Sequence, residues 1–267
     1  MSESTNVIKS NVLLLGPPGC GKTTSFKTLL PYVPQLFILA TEPGIENILG
    51  DTDPEQVHWK YIPPAAPDWD TMIRSARTIN SMSIDALIKS SGAGSKAEYR
   101  QFLEVLECLS DFRCDRTGKS YGPVDQFPAE YALGVDSLSG LSIMAMDLVA
   151  GNAPIKSLPM WGVAMDNLER LITKLTCDTK CSMILTAHMD REVDELTGGT
   201  KLMASTLGRK LAPKIPRFFD EVVWCSRGDG KEFRWSTAES TVDLKTRRLP
   251  IADDLRPDFG LIFSQSE

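Results

Sequence analysis

The chain is most constrained by a turn that holds three glycines within six residues. The apolar residues 12–15 lead directly into Gly-Pro-Pro-Gly-Cys-Gly-Lys-Thr-Thr at residues 16–24. Gly16, Gly19 and Gly21 permit backbone angles and close approaches that a side chain would prevent, so successive N–H groups can point inward. The pattern G-x-x-x-x-G-K-T after an apolar strand predicts a P-loop, an anion-binding turn that opens a helix.

A P-loop in this setting predicts binding of a nucleoside triphosphate, with ATP and Mg²⁺ as the expected ligands. Lys22 would supply a positive charge to the β- and γ-phosphates, and Thr23 would supply a hydroxyl for Mg²⁺. A chance glycine turn before a helix is the alternative. The predicted nucleotide-contacting residues are Gly16, Pro17, Pro18, Gly19, Cys20, Gly21, Lys22, Thr23 and Thr24.

Three further polar residues follow apolar segments that are typical of buried strands. Glu42 follows the run at 35–40, Asp136 ends the run at 131–136, and His188 follows the run at 182–187. Ligands gather at the carboxyl ends of parallel strands, so Asp136 is predicted to hold Mg²⁺ opposite Thr23. The alternatives are a helix N-cap for Asp136 and a packing role for His188.

The order of segments predicts an α/β protein with a mostly parallel central sheet flanked by helices. Helices are predicted near 69–79, 138–148 and 161–175, with a further strand at 57–62. Strands predicted at 221–225, 231–236 and 241–247 would extend the sheet in antiparallel fashion. The predicted units are a flexible segment 1–10, an ATPase domain 11–250 with an insertion at 81–128, and a tail 251–267.

Several local patterns carry more specific expectations. Within the insertion, residues 91–94 read as a flexible break, and Ser95 with Glu98 forms a capping-box pattern that would open a helix. Residues 190–205 lack apolar periodicity and predict a mobile loop with an excess of acidic groups. Lys245 and Arg247 alternate with other residues on a predicted strand, so they would share one face. They could reach a γ-phosphate in a neighbouring subunit, or form a solvated basic edge.

Composition limits the classes of function. The 267 residues are 42% hydrophobic and carry a formal charge of −6, which excludes a disordered or fibrous chain. Nucleic-acid binding would need a local patch, because the surface as a whole repels phosphate. No apolar run reaches the ~18 residues of a membrane span, and the polar start predicts no signal segment. Six scattered cysteines without zinc-ligand spacing predict reduced thiols and a cytoplasmic protein without membrane contact.

These motifs, in this order, resemble the RecA-like branch of P-loop ATPases. The chain looks closest to the small phage-encoded RecA-like ATPases of single-strand annealing and recombination. The resemblance covers roughly residues 10–250 and leaves the insertion outside. It rests on the P-loop at 16–23, on Glu42 after the second strand, on Asp136 and on His188.

The resemblance implies a role for each of these residues. Glu42 would polarise the attacking water, Asp136 would be the Walker B acid, and His188 would be the γ-phosphate switch, where recombinases more often have glutamine. Lys245 and Arg247 are similar to the basic pair that acts in trans in hexameric members. The DNA-facing loops would fall near 151–159 and 189–205.

The function implied by the resemblance is a Mg²⁺-dependent ATPase that assembles as a ring or filament on single-stranded DNA. A single-strand-binding protein is a candidate partner, and the compartment would be the host cytoplasm for a phage-encoded chain. One alternative is a nucleotide-gated assembly or replication accessory factor that binds a protein partner without DNA. A small-molecule kinase is disfavoured, because no arginine-rich lid segment follows the fourth strand.

Overall fold

The computed structural model describes residues 9–264 apart from 51, 91–94, 194–198, 229 and 231. The strands of this part, in chain order, are β1 (Val12–Leu15), β2 (Leu36–Ala40), β3 (Val57–Tyr61), β4 (Ala132–Asp136), β5 (Ser182–Ala187), β6 (Met189–Val193), β7 (Thr200–Ala204), β8 (Glu221–Arg227) and β9 (Phe233–Ser236). Seven of them form the main sheet, in the order β3-β2-β4-β5-β1-β8-β9, and β6 pairs with β7 in a separate hairpin.

The α-helices of the described residues connect the strands and cover the sheet. They are α1 (Lys22–Ser25), α2 (Glu46–Leu49), α3 (Trp69–Ser81), α4 (Ile84–Lys89), α5 (Gln101–Ser110), α6 (Leu138–Ala150), α7 (Leu158–Thr173), α8 (Gly208–Leu211) and α9 (Gly260–Phe263). A 3-10 turn at Phe26–Leu29 continues α1. None of the helices described is both long enough and apolar enough to cross a bilayer.

The sheet confirms the predicted α/β, RecA-like fold. All neighbouring pairs from β3 to β8 are parallel, and only β9 runs antiparallel to its neighbour β8. The central strands β1, β2, β4 and β5 are buried along their whole length, as expected for parallel strands covered on both faces. The prediction that the antiparallel extension begins at residue 221 was wrong, because β8 pairs in parallel with β1.

An aromatic cluster around Phe37 links the sheet to the predicted insertion. The Phe37 ring lies 5.2 Å from that of Phe112 and 4.3 Å from that of Phe127, measured between centroids. Phe102 and Val105 of α5 belong to the same buried core. The second half of the 81–128 segment therefore packs as part of the core, while its exact boundaries, like those at 10 and 250, stay predictions.

The helix α3, just before that segment, packs differently from the sequence expectation. The spacing of its apolar residues, including Trp69, Met72 and Ile73, predicts one buried face, yet no residue of α3, or of α4 after it, is buried, and Trp69 is 79% exposed. The helix predicted after residue 95 forms as α5, but its predicted start at a capping box was wrong: α5 begins at Gln101, and the Ser95 N–H donates to Asn152 Oδ1 at 2.7 Å. The predicted break at 91–94 lies outside the described residues.

Two predictions for the C-terminal half also need correction. The segment 190–205 is not simply a loop, because β6 and β7 pair in antiparallel register from Met189 opposite Ala204 to Val193 opposite Thr200. Residues 241–247 do not form a strand: only isolated bridges, at Val242 and at Lys245, tie them to the sheets. The hairpin forms through backbone pairing between largely polar segments, whereas the side-chain alternation at 241–247 is not accompanied by continuous strand pairing.

Replacement of Phe37 by alanine is expected to destabilise the protein by about 3–5 kcal/mol, because the ring is fully buried between β2 and the 112–131 segment. Urea unfolding measures the change. The control is Ile251→Ala, since Ile251 is 79% exposed and its loss should change the free energy of unfolding by less than about 0.5 kcal/mol. Equal effects of the two substitutions would contradict the placement of this cluster in the core.

Candidate functional site

The glycine turn follows β1 and lies against β8. Gly16 has no room for a side chain, because an added Cβ would lie 2.3 Å from the carbonyl oxygen of Cys225. Its N–H donates to Ala187 O at 3.2 Å, which ties the start of the turn to the end of β5. Gly21 has a φ of +86° and immediately precedes α1, so a positive φ closes the turn where the helix begins.

Lys22 is buried at the base of this turn. It is 6% exposed, and its Nζ donates to Gly16 O at 2.7 Å and to Pro17 O at 2.9 Å. Both partners are neutral carbonyl groups, which carry no charge opposite to that of the side chain. The charge is held inside the curve of the loop, where the sequence predicted a phosphate.

Cys20 adds a second ionisable group next to Lys22. Its Sγ lies 3.7 Å from Lys22 Nζ, and a hydrogen bond with Cys225, followed by the charge of Lys22, lowers the pKa of Cys20 to about 6. Burial raises the pKa of Cys225 well above its ordinary value. The thiol of Cys20 therefore ionises more readily than an ordinary cysteine. None of the six cysteines forms a disulfide among the described residues.

Asp136 joins the P-loop helix to the centre of the sheet. It is 8% exposed; its Oδ2 accepts a hydrogen bond from Thr23 Oγ1 at 2.6 Å, and its Oδ1 accepts one from Thr186 Oγ1. Ser137, not Asp136, is the N-cap of α6, so the N-cap alternative for Asp136 is excluded. The predicted Mg²⁺ pair, Thr23 and Asp136, is in direct contact.

Glu42 is held by two donors that directly follow different strands, β4 and β5. Its Oε1 accepts from Ser137 Oγ at 2.5 Å, and its Oε2 accepts from His188 Nε2 at 2.8 Å. A carboxylate only accepts, so Nε2 carries the imidazole proton. The hydrogen bond from His188, with that from Ser137, lowers the pKa of Glu42 below its ordinary value of 4.5. Each carboxylate oxygen keeps a further lone pair for an additional donor.

Sequence reasoning missed the residues that hold these side chains together. Thr41 is buried, and its Oγ1 accepts from Ser137 N–H at 2.9 Å while its N–H donates to Asp136 O at 2.6 Å. Thr186, one of the donors to Asp136, lies inside an apolar strand. The available signal was a small polar residue within an apolar run for Thr186, and one directly after such a run for Thr41.

The site residues line one cleft with a volume of about 670 Å³. The lining residues are Pro18, Gly19, Cys20, Gly21, Lys22, Thr23, Thr24, Glu42, Pro43, Gly44, Asn47, Asp136, His188 and Phe233. Parallel register explains the convergence: Leu15 pairs with Ala187 and Ala40 with Asp136, so these strands end at the same edge.

Lys245 and Arg247 are not at this cleft in their own chain. Lys245 bridges to Val222, near the start of β8, and its Nζ donates to Phe219 O at 2.6 Å. Arg247 pairs with Asp220 at 2.8 Å. Both therefore lie toward the amino edge of the sheet, opposite the P-loop, and their action in a neighbouring subunit stays a prediction.

The donor set fits a nucleotide with Mg²⁺. Mg²⁺ prefers oxygen ligands, which the hydroxyl of Thr23 and the carboxylate of Asp136 supply. The loop offers a buried ammonium at Lys22 and a tight approach at Gly16, which suit a phosphate chain.

Comparison with known proteins identifies the family. A family model described as an AAA domain matches residues 8–248. The chain belongs to the AAA domain family. The match covers the glycine turn and the α/β sheet, which is consistent with the predicted P-loop nucleotide-binding domain. No protein of curated function matches the chain.

Among solved structures, the AAA domain is similar to a prototypical ATPase from the type III secretion system of pathogenic bacteria. The identity is 11%, and the TM-score is 0.38. The match covers 82% of this chain and 51% of that chain, so the sequence spans about half the length of the solved ATPase.

Gly21→Ala is expected to weaken nucleotide binding and to destabilise the fold. The residue has a φ of +86°, an angle that costs a non-glycine residue about 1–2 kcal/mol, and the new Cβ would lie 2.7 Å from Phe233 Cγ. Calorimetric titration with ATP and urea unfolding measure the two effects. Gly162→Ala is the control, because that helical glycine of α7 has open space around it. Unchanged ATP affinity in Gly21→Ala would contradict this geometry.

His188→Ala is expected to raise the pKa of Glu42 toward 4.5, because it removes the largest stabilising hydrogen bond to the carboxylate. A ¹³C NMR titration of the Glu42 carboxyl carbon measures the midpoint, which should lie below 4.5 in the wild type. Lys60→Ala breaks a distant ion pair with Asp115 and should leave that midpoint in place. An unshifted midpoint in His188→Ala would exclude the contact.

Proposed function

We propose that the chain hydrolyses ATP in the cleft between the P-loop and the ends of β2, β4 and β5. The observation that carries this proposal is the convergence of Lys22, Thr23, Asp136, Glu42 and His188 on one cleft. Membership of the AAA domain family supports it independently. The order of steps follows from what each side chain can hold or accept.

The P-loop binds and orients the phosphate chain. Lys22 exchanges its contacts with the loop carbonyls for phosphate oxygens, which stabilises the negative charge that develops during transfer. Thr23 and Asp136 would hold Mg²⁺, which neutralises charge on the β- and γ-phosphates when it is bound.

Glu42 orients the attacking water. Its lowered pKa keeps it ionised at neutral pH, and the two donors on it fix the carboxylate while leaving it able to accept a hydrogen bond from water. His188 contacts Glu42 directly and immediately precedes β6. A change in the Glu42 contact on loss of the γ-phosphate would therefore pass through His188 to the β6–β7 hairpin.

We further propose that the ATP-bound chain assembles as a ring or filament on single-stranded DNA, as an ATPase of recombination or single-strand annealing. The resemblance to phage-encoded RecA-like ATPases supports this finer function. In the assembly, Lys245 and Arg247 would reach the neighbouring cleft; the Arg247 side chain is 65% exposed and so is able to extend. A single-strand-binding protein would be a partner in the same process.

A second candidate is a nucleotide-gated factor that binds a protein partner without DNA. The observation that favours it is the exposure of large apolar side chains on α3 and α4, including Trp69 at 79% and Ile84 at 77%. The net charge of −6 also opposes binding to a polyanion.

Glu42→Gln is the informative variant, because the amide preserves the shape of the side chain but cannot accept the water proton. We expect ATP binding to persist and hydrolysis to fall by about 10²–10⁴-fold. Calorimetry and phosphate release measure the two properties. Retained hydrolysis would remove Glu42 from the mechanism, and Lys22→Ala, which should lose binding, serves as the comparison.

The Glu42→Gln variant also tests the proposed assembly on DNA, since it should bind ATP without hydrolysing it. Electron microscopy with ATP should show a ring or filament that forms on single-stranded DNA. Binding to the DNA should weaken with salt, with a log–log slope of about −3.5 if five phosphates are neutralised. No assembly and no DNA binding at low salt would reject the DNA function and favour the protein-binding alternative.

A further inference from the structure

Phe233 is a cleft residue that the mechanism above does not use. It is the first residue of β9, and it pairs with Arg227, the last residue of β8. Because β8 runs parallel to β1, this register places Phe233 at the carboxyl edge of the sheet, beside the P-loop. Its side chain lines the same cleft as Lys22 and Asp136.

The exposure of Phe233 differs from that of its neighbour on the same face. Side chains two residues apart on a strand point the same way, so Phe233 and Trp235 share a face. Trp235 is 1% exposed and packs edge to face on Phe259 in the core, whereas Phe233 is 37% exposed. Packing in the core therefore explains the burial of Trp235, whereas much of the Phe233 side chain is exposed to solvent.

The ring is held against the phosphate-binding turn. A Cβ added to Gly21 would lie 2.7, 2.8 and 3.0 Å from Phe233 Cγ, Cδ2 and Cδ1, so the glycine backbone packs on the inner end of the ring. The Arg227 guanidinium lies 5.9 Å from the ring centroid, within the range of a cation–π contact. Two contacts thus fix the ring at the mouth of the cleft.

The cleft therefore presents polar, cationic groups and an exposed aromatic ring close to one another. The buried ammonium of Lys22 and the hydroxyl of Thr23 suit an anionic phosphate chain, whereas an exposed aromatic ring suits a flat apolar group. A nucleoside triphosphate carries both on one molecule. Stacking on an aromatic ring is available to any base, because every base presents a π-face.

We propose that Phe233 is the stacking platform for the nucleobase of the bound triphosphate. The proposal rests on the proposed function, because it assigns the second half of the same ligand. It makes Phe233 a binding residue for the base and Gly21 the position that admits the ring beside the phosphates. Recognition through stacking contributes affinity for the base without reading its hydrogen-bonding edge.

Calorimetric titrations of the full chain with ATP and with inorganic tripolyphosphate, both with Mg²⁺, separate the base from the phosphates. Phe233→Ala should raise the Kd for ATP by a factor of about 5 to 100, which corresponds to loss of one stacked base. The Kd for tripolyphosphate should not change. Phe233→Trp should keep or improve ATP affinity, because it presents a larger π-face.

Trp69→Ala is the matched control, since Trp69 is an aromatic residue exposed on α3 and away from the cleft. It should leave both affinities unchanged. Thermal unfolding of each variant identifies any loss of fold.

Three results would overturn the proposal. Unchanged ATP affinity in Phe233→Ala would exclude stacking. An equal loss of affinity for ATP and for tripolyphosphate would show that the ring only supports the turn. Wild-type protein that binds ATP no more tightly than tripolyphosphate would show that the base contributes nothing. By contrast, wild-type protein that binds neither ligand would reject the proposed function itself.

Discussion

The buried carboxylate of Asp136 is the interaction on which the site depends. A carboxylate that is 8% exposed must be hydrogen-bonded to offset its loss of hydration, and its two oxygens accept from Thr23 on the P-loop helix and from Thr186 on β5. One side chain of β4 thereby fixes the start of α1 and the end of β5 relative to each other. The position of the P-loop above the sheet follows from this junction.

Glu42 connects the end of β2 to the strands that Asp136 holds together. Its contacts with Ser137 and His188 connect the segment after β2 to the ends of β4 and β5. The same two hydrogen bonds that hold the side chain also keep its pKa low, so position and charge state have one physical cause. Thr41 also holds this segment in place, because its side chain forms hydrogen bonds with the backbone of both Asp136 and Ser137.

Outside the cleft, the chain divides into parts that are packed and parts that are exposed. Several apolar side chains between residues 102 and 127 belong to the core that contains Phe37, whereas no residue of α3 or α4 is buried. Both segments have helical apolar periodicity, so the pattern alone could not distinguish them. The difference is that α5 packs against α6, whereas α3 and α4 make no comparably extensive contact with another element among the described residues.

The sequence by itself determined the P-loop, the α/β class and the polar residues at the ends of the apolar strands, because these depend on local composition and on the common direction of parallel strands. It could not determine the pairing of Glu42 with His188 and Ser137, the support from Thr186, or the approach of Phe233 to Gly21. Those contacts join residues far apart in the chain, and they depend on strand order and register. It also mispredicted residues 190–205, where two strands pair through backbone hydrogen bonds that no side-chain pattern marks, and residues 241–247, where side-chain alternation is present but no strand forms.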